Sequence, residues 1–139
     1  MKVSCVLLGP NQSLLRSLKN VLEPVVEIVA MADNVLSFRD GLDALQPELA
    51  VIDLLSQAPD QGTFLRHLSN RYADLRIIVV GDEDDPVIAH DALGQGAMAY
   101  VLKRSAATDL TAAVAQVLAG DIYVSPDVEA GHDAQPARQ

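Results

Sequence analysis

Apolar residues alternate along this chain between two rhythms. Short, mostly apolar runs at 3–8, 25–30, 49–53, 77–80 and 99–102 are each followed by a stretch in which apolar positions recur three or four residues apart. The short runs read as strands buried on both faces, and the spaced stretches as helices with one apolar stripe. A helix is predicted over 14–22, where Leu14, Leu15, Leu18, Val21 and Leu22 share a face before Pro24 stops it. A second is predicted over 34–45 with Val35, Phe38, Leu42 and Leu45 inward, broken by Pro47. A loop at 56–62 leads to a third helix carrying Phe64, Leu65 and Leu68. Pro86 suits the first turn of a fourth helix, which continues over 87–93 and ends at Gly94 and Gly96. Ser105 or Thr108 can cap a fifth, which runs to about Ala119 and closes at Gly120.

The strands begin 22 to 28 residues apart, the room a right-handed crossover helix needs. Five strand–helix units predict an α/β fold: a doubly wound, five-stranded parallel sheet in the flavodoxin-like order 2-1-3-4-5. The composition changes after Ser125-Pro126, so one domain is expected over 1–126 and a linker or tail over 127–139.

Charge narrows the partners. The net charge is −9 with ten Lys and Arg scattered along the chain, a poor basis for neutralising nucleic-acid phosphates. No apolar run approaches the roughly 20 residues of a membrane span, and no basic, apolar leader is visible, so a cytoplasmic protein is expected. Cys5 is the single cysteine, expected to be buried in the first strand. His67, His90 and His132 have no second ligand at metal spacing and are expected on the surface or in the tail. In open α/β sheets, function collects at the carboxyl ends of the strands. There the third strand ends on Asp53 and the fifth on Lys103, while the first runs into Gly9-Pro10-Asn11. Taken alone, Asp53 and Lys103 would form a strand-end ion pair.

The segment Pro47-Glu48-Leu49-Ala50-Val51-Ile52-Asp53-Leu54 resembles the phosphoacceptor strand of two-component response-regulator receiver domains. Gly94-Gln95-Gly96-Ala97-Met98-Ala99-Tyr100-Val101-Leu102-Lys103 resembles the same family's fifth strand with its lysine, and 118–126 the end of receivers of the NarL/FixJ class. The resemblance implies that Asp53 is the phosphoacceptor-equivalent, Lys103 the phosphate-binding lysine and Tyr100 the switch aromatic. It also implies an acidic pair after the first strand to hold Mg²⁺, a metal that wants carboxylate and water oxygens. Pro10 and Asn11 stand there instead. The hydroxyl residue expected after the fourth strand is replaced by Gly81.

The reading that follows is a degenerate, or pseudo-, receiver. It is not an enzyme, and it acts in signal transduction and transcription control through protein–protein contact. Mg²⁺ is expected to bind weakly at best, through Asp53 and Asn11, unless Asp82 or Glu83 replaces the missing ligand. The acidic run 82–85 is otherwise a solvated loop that favours the next helix N-terminus. A homodimer is expected, through the first and last helices or through a face carrying Val87, Ala99, Tyr100 and the outer side of 108–118. DNA would be reached only through a helix-turn-helix domain that this chain does not contain. The alternative is a conventional receiver phosphorylated at Asp53 by a sensor histidine kinase. A flavin-binding reading is disfavoured because residues 9–11 form no Ser/Thr/Gly-rich phosphate cradle, and Gly94 and Gly96 follow a helix rather than open one.

Overall fold

A computed structural model describes residues 2–53 and 61–128. The chain alternates β1 (Val3–Leu8), α1 (Gln12–Leu22), β2 (Val26–Ala32), α2 (Val35–Leu45), β3 (Leu49–Asp53), α3 (Gln61–Arg71), β4 (Arg76–Gly81), α4 (Pro86–Gly94), β5 (Ala99–Leu102), α5 (Ala106–Leu118) and β6 (Tyr123–Val124). Most of the loop read at 56–62 lies outside the described residues, as do Leu54, His132 and the tail beyond Val128.

All strand pairs are parallel, in the order β2-β1-β3-β4-β5-β6. The expected order of the first five strands is present, and the sheet has a sixth strand that the sequence reading did not contain. Two residues are too short to stand out as an apolar run. β6 exists because β5 would otherwise expose its backbone edge. The Tyr123 and Ser125 N–H groups donate to Met98 and Tyr100 carbonyls at 3.0 Å each, and the Ser125 hydroxyl accepts from the Leu102 N–H at 2.9 Å. Val128, two residues beyond the boundary drawn at 126, is fully buried.

Alternation along the strands divides the core in two. Cys5, Leu7, Val51, Ile78, Val80 and Val101 pack beneath α1 and α5. Val6, Ala50, Ile52, Ile77, Val79 and Tyr100 pack beneath α2, α3 and α4. Every residue of β3 is buried, as two-sided coverage requires. Cys5 lies in this core, and burial pushes its thiol up to about 12.

The helix ends follow local chemistry. Asn11 and Asn34 sit at N-caps, accepting from Leu14 N–H (3.1 Å) and Ser37 N–H (2.8 Å). Asp85 caps α4 ahead of Pro86, accepting from Val87 N–H at 2.9 Å. Neither residue proposed to cap α5 does so with its side chain. Ser105 is at the N-cap without a side-chain hydrogen bond, because a 3₁₀ turn over Lys103–Ser105 leads directly into the helix, and Thr108 lies within it. Val35 and Leu45, read as inward, are 45% and 47% exposed. They are the first and last residues of α2 and overhang the sheet, which only Phe38 and Leu42 reach. Gly94 is the last residue of α4, and Gly96 adopts φ +119 with its α-carbon against Ser69, where a β-carbon has no room.

Replacing Ser125 with Ala should leave the Leu102 N–H buried without an acceptor. A loss of about 1–3 kcal/mol is expected in urea unfolding. An unchanged midpoint would show that the β6 segment adds nothing to the fold.

Candidate functional site

Three strand tips converge at one edge of the sheet. Gly9 follows β1, Asp53 ends β3, and Lys103 follows β5. A β-carbon on Gly9 would sit 3.1 Å from the Asp53 β-carbon and 3.4 Å from its Oδ2, so a side chain at 9 would crowd the Asp53 carboxylate. The Asp53 side chain is 1% exposed, and Lys103 Nζ lies 2.9 Å from its Oδ1. The contact is an ion pair whose angles fall outside a well-aligned hydrogen bond, so Oδ1 has no aligned donor. At this separation the attraction depends on distance rather than alignment.

Lys103 also reaches Asp82, 3.4 Å away on the loop after β4. Burial pushes the Asp53 carboxyl above its ordinary value, opposed by Lys103 and reinforced by the Asp82 charge. For Lys103, burial acts downward, but Asp53 and Asp82 outweigh it and hold the ammonium above its usual range.

The acidic loop is more engaged than a solvated run. Asp82 shares Lys103, Asp84 lies 3.3 Å from Arg104, and Asp85 caps α4. The Glu83 carbonyl accepts the Tyr100 hydroxyl at 2.7 Å. Asp82 therefore approaches the pocket, but as a partner of the same ammonium.

Tyr100 is 2% exposed, which corrects its placement, with Ala99, on an outer face. Both face the core because β5 is covered by helices and by β6. Gly81 explains where the ring goes. A β-carbon there would collide with the Tyr100 hydroxyl and come within 2.9 Å of Cζ. The aromatic ring occupies the space that a side chain at 81 would need. Burial, assisted by the Glu83, Asp82 and Asp84 carboxylates, pushes its phenol up to about 12.

The donors for a magnesium ion are few. Pro10 has no side-chain oxygen, and the Asn11 amide oxygen is already accepting the Leu14 N–H. Among the described residues, no cluster of three or more His, Cys, Asp or Glu side chains could hold a metal. Asp53 is a single carboxylate whose charge is already taken by the Lys103 ammonium, a poor donor set for an ion that binds through free carboxylate and water oxygens. His67 and His90 are exposed. The sequence reading missed a second cluster. Tyr72 donates to Asp43 Oδ1 at 2.6 Å, and Arg71 reaches both groups at 3.2 Å. The only hint in the sequence is that α3 holds two arginines, one histidine and no acid.

Comparison with known proteins agrees with this architecture. Residues 10–115 match the response regulator receiver domain family. The chain belongs to that family. It is 27% identical over 129 residues to the transcriptional regulatory protein DegU of Brevibacillus brevis, covering 91% of this chain and 55% of DegU. It is 28% identical to the transcriptional regulatory protein UhpA of Salmonella typhimurium, covering 77% of this chain and 53% of UhpA. The chain thus spans about half the length of these relatives. Among solved structures, the isolated receiver domain of RcsB from Salmonella enterica superposes with a TM-score of 0.84 at 22% identity, covering 95% and 99% of the two chains. A LuxR-family response regulator from Aurantimonas gives 0.83 at 24% identity, covering 93% and 94%. No described helix is long and apolar enough to cross a membrane.

Two substitutions probe the site. Lys103→Met should raise the Asp53 carboxyl further, since a nearby cation favours the carboxylate. Where Asp53 is ionised, it should cost about 1–3 kcal/mol, because the carboxylate is left without its cation. Because the cost belongs to the ionised carboxylate, it should fade as pH falls through the raised Asp53 pKa. An unchanged Asp53 titration by NMR would show that the groups do not interact. Gly81→Thr should drive the Tyr100 ring outward. Its phenol would then titrate nearer 10 than about 12, read by tyrosinate absorbance.

Proposed function

We propose that this chain is a pseudo-receiver: a regulatory interaction domain of a transcription regulator, relaying its signal by protein–protein association with little or no phosphorylation of Asp53. The observation that carries this reading is the Asp53–Lys103 ion pair at 2.9 Å in a pocket that offers a metal no second acidic partner at positions 10 and 11. In receiver chemistry the phosphoacceptor aspartate attacks a phosphoryl donor while a metal offsets the charge of the incoming group. Here Asp53 would be the acceptor-equivalent, and Lys103 would supply the remaining positive charge. That ammonium is paired with the nucleophile itself, which lowers its reactivity. The Tyr100 ring over Gly81 supports the same reading, since Gly81 has no hydroxyl to hold a phosphoryl oxygen and the aromatic already fills that space. Mg²⁺ would bind weakly, with Asp53 and Asn11 as the only candidates at the positions the family uses.

A conventional receiver, phosphorylated at Asp53 by a sensor histidine kinase, is favoured by one observation: both Asp53 and Lys103 are retained in contact. The output would be transcriptional, as the names of DegU and UhpA say of those proteins. Contact with DNA would come from a helix-turn-helix domain outside this chain, in the cytoplasm. Association as a homodimer is part of the proposal, and RcsB has been solved as dimers on DNA. With Ala99 and Tyr100 buried, the exposed Val87 and Ile88 of α4 and the outer sides of α1 and α5 are the surfaces left for it.

The decisive experiment is mass spectrometry after incubation with acetyl phosphate and Mg²⁺. Removing one well-placed stabilising group typically costs about 10²–10³ in rate, so the loss of the acidic pair and the hydroxyl should leave Asp53 unmodified. A stoichiometric phosphoryl adduct absent in Asp53→Asn would establish the conventional reading instead. Pro10→Asp combined with Asn11→Asp should restore some modification. Sedimentation of the chain should show dimers, and a monomer at high concentration would remove that part.

A further inference from the structure

We propose that the groove between α2 and α3 is a binding site for a phosphate-bearing anion. The groove is about 540 Å³ and is lined by Arg39, Thr63, Arg66, His67, Asn70 and Arg71. Every lining side chain is polar and exposed, four of the six are basic or imidazole, and none is acidic. This placement runs against the charge of the whole chain, which is −9 with only ten Lys and Arg, three of them here. Like charges gathered on two helices repel, and the summed field of an acidic protein does not call for them. Screening confines their influence to about 8 Å at physiological salt, so the groove is a local inversion of the protein's charge that an anion would relieve.

The pairing within the cluster sharpens the assignment. Asp43 of α2 is the acid that faces it, and it is taken by Tyr72 and Arg71. That contact, with Arg71 stacked 5.3 Å over the Tyr72 ring, fixes the Arg71 guanidinium at one end of the groove. Arg66 forms no ion pair with any described residue, and Arg39 comes within 4 Å of no described acid, although Asp43, one turn along α2, feels its charge. Two guanidiniums outside any close ion pair, on the same groove as a third held in place, suit a multiply charged group with several oxygens, as phosphate is, better than a single carboxylate. Thr63 and Asn70 add neutral hydrogen-bonding groups. An adjoining hollow of about 130 Å³ shares Arg39, His67 and Arg71 and is floored by Phe64, Leu68 and Tyr72. A flat ring attached to the phosphates could rest there, as in a nucleotide, while an inorganic oligophosphate would use the basic part alone. No residue of the Asp53 pocket takes part, so the two sites stand or fall separately.

The test is amide NMR titration of the chain with ATP and, separately, with inorganic tripolyphosphate at physiological salt. Saturable shifts are expected over 63–72 and around Arg39. Arg39→Ala and Arg66→Ala should each weaken binding about tenfold, without altering thermal stability. Arg71 is left intact, since its removal would strand Asp43. Arg16→Ala with Lys19→Ala, on α1, should change nothing. Tighter binding of ATP with shifts at Phe64 and Tyr72 would identify the ring-bearing class, and equal binding the phosphate chain alone. Absence of saturation, an equal loss in the α1 variant, or tighter binding of a polyglutamate peptide than of either phosphate would overturn the proposal.

Discussion

Two-sided burial of a parallel sheet is the constraint on which the rest of this molecule depends. β3 has no residue open to solvent along its length, and β1, β4 and β5 are nearly as enclosed. Polar chemistry can then emerge only at the strand ends, where the backbone leaves the core. Asp53 and Lys103 meet because they stand at two such ends on either side of β4. The same enclosure makes their pairing consequential: a carboxylate stripped of water needs a cation close by, and one at 2.9 Å is supplied by the chain itself.

The residues around that pair form a consistent set. A glycine at 81 leaves a void, and Tyr100 fills it, anchored by its hydroxyl to the Glu83 carbonyl. Asn11 caps α1 through its amide oxygen. Asp82 turns to the ammonium shared with Asp53, and Asp84 to Arg104. Each group has found a partner within the protein. A pocket satisfied internally gains little from a ligand that would have to displace those partners. The α2–α3 groove is the converse case, where three arginines share Asp43 as the facing acid and Arg66 forms no ion pair with a described residue.

β6 shows how a fold closes on itself with little sequence. Tyr123 and Val124 pack partly buried against the two cores, their backbone completes the β5 edge, and Ser125 and Val128 seal the end of the sheet. The consequence reaches β5. Ala99 and Tyr100 are covered from both sides, so the surface available for association is shifted to helix exteriors.

The strand–helix alternation, the identity of the first five strands and the residues at their tips could all be read from the sequence. Apolar periodicity and crossover length are local properties, and a parallel sheet allows few other arrangements of them. The family motifs around Asp53 and Lys103 were legible for the same reason, since they are contiguous runs. What remained hidden depends on which surfaces meet. Val35 and Leu45 fit the apolar stripe of α2, but only the docked helix shows that its ends overhang the sheet. Tyr100 could be placed in β5, but its burial and its fit over Gly81 arise from two strands that are 19 residues apart in the chain. β6 is defined by an edge rather than by its own composition. Arg39 and Arg66 lie on different helices and become one groove only when the sheet sets α2 beside α3. Sequence determined the elements and the chemistry at their ends, because both are encoded in neighbouring residues. Tertiary structure decided which charges are paired and which faces are free, because those depend on distances between residues far apart in the chain.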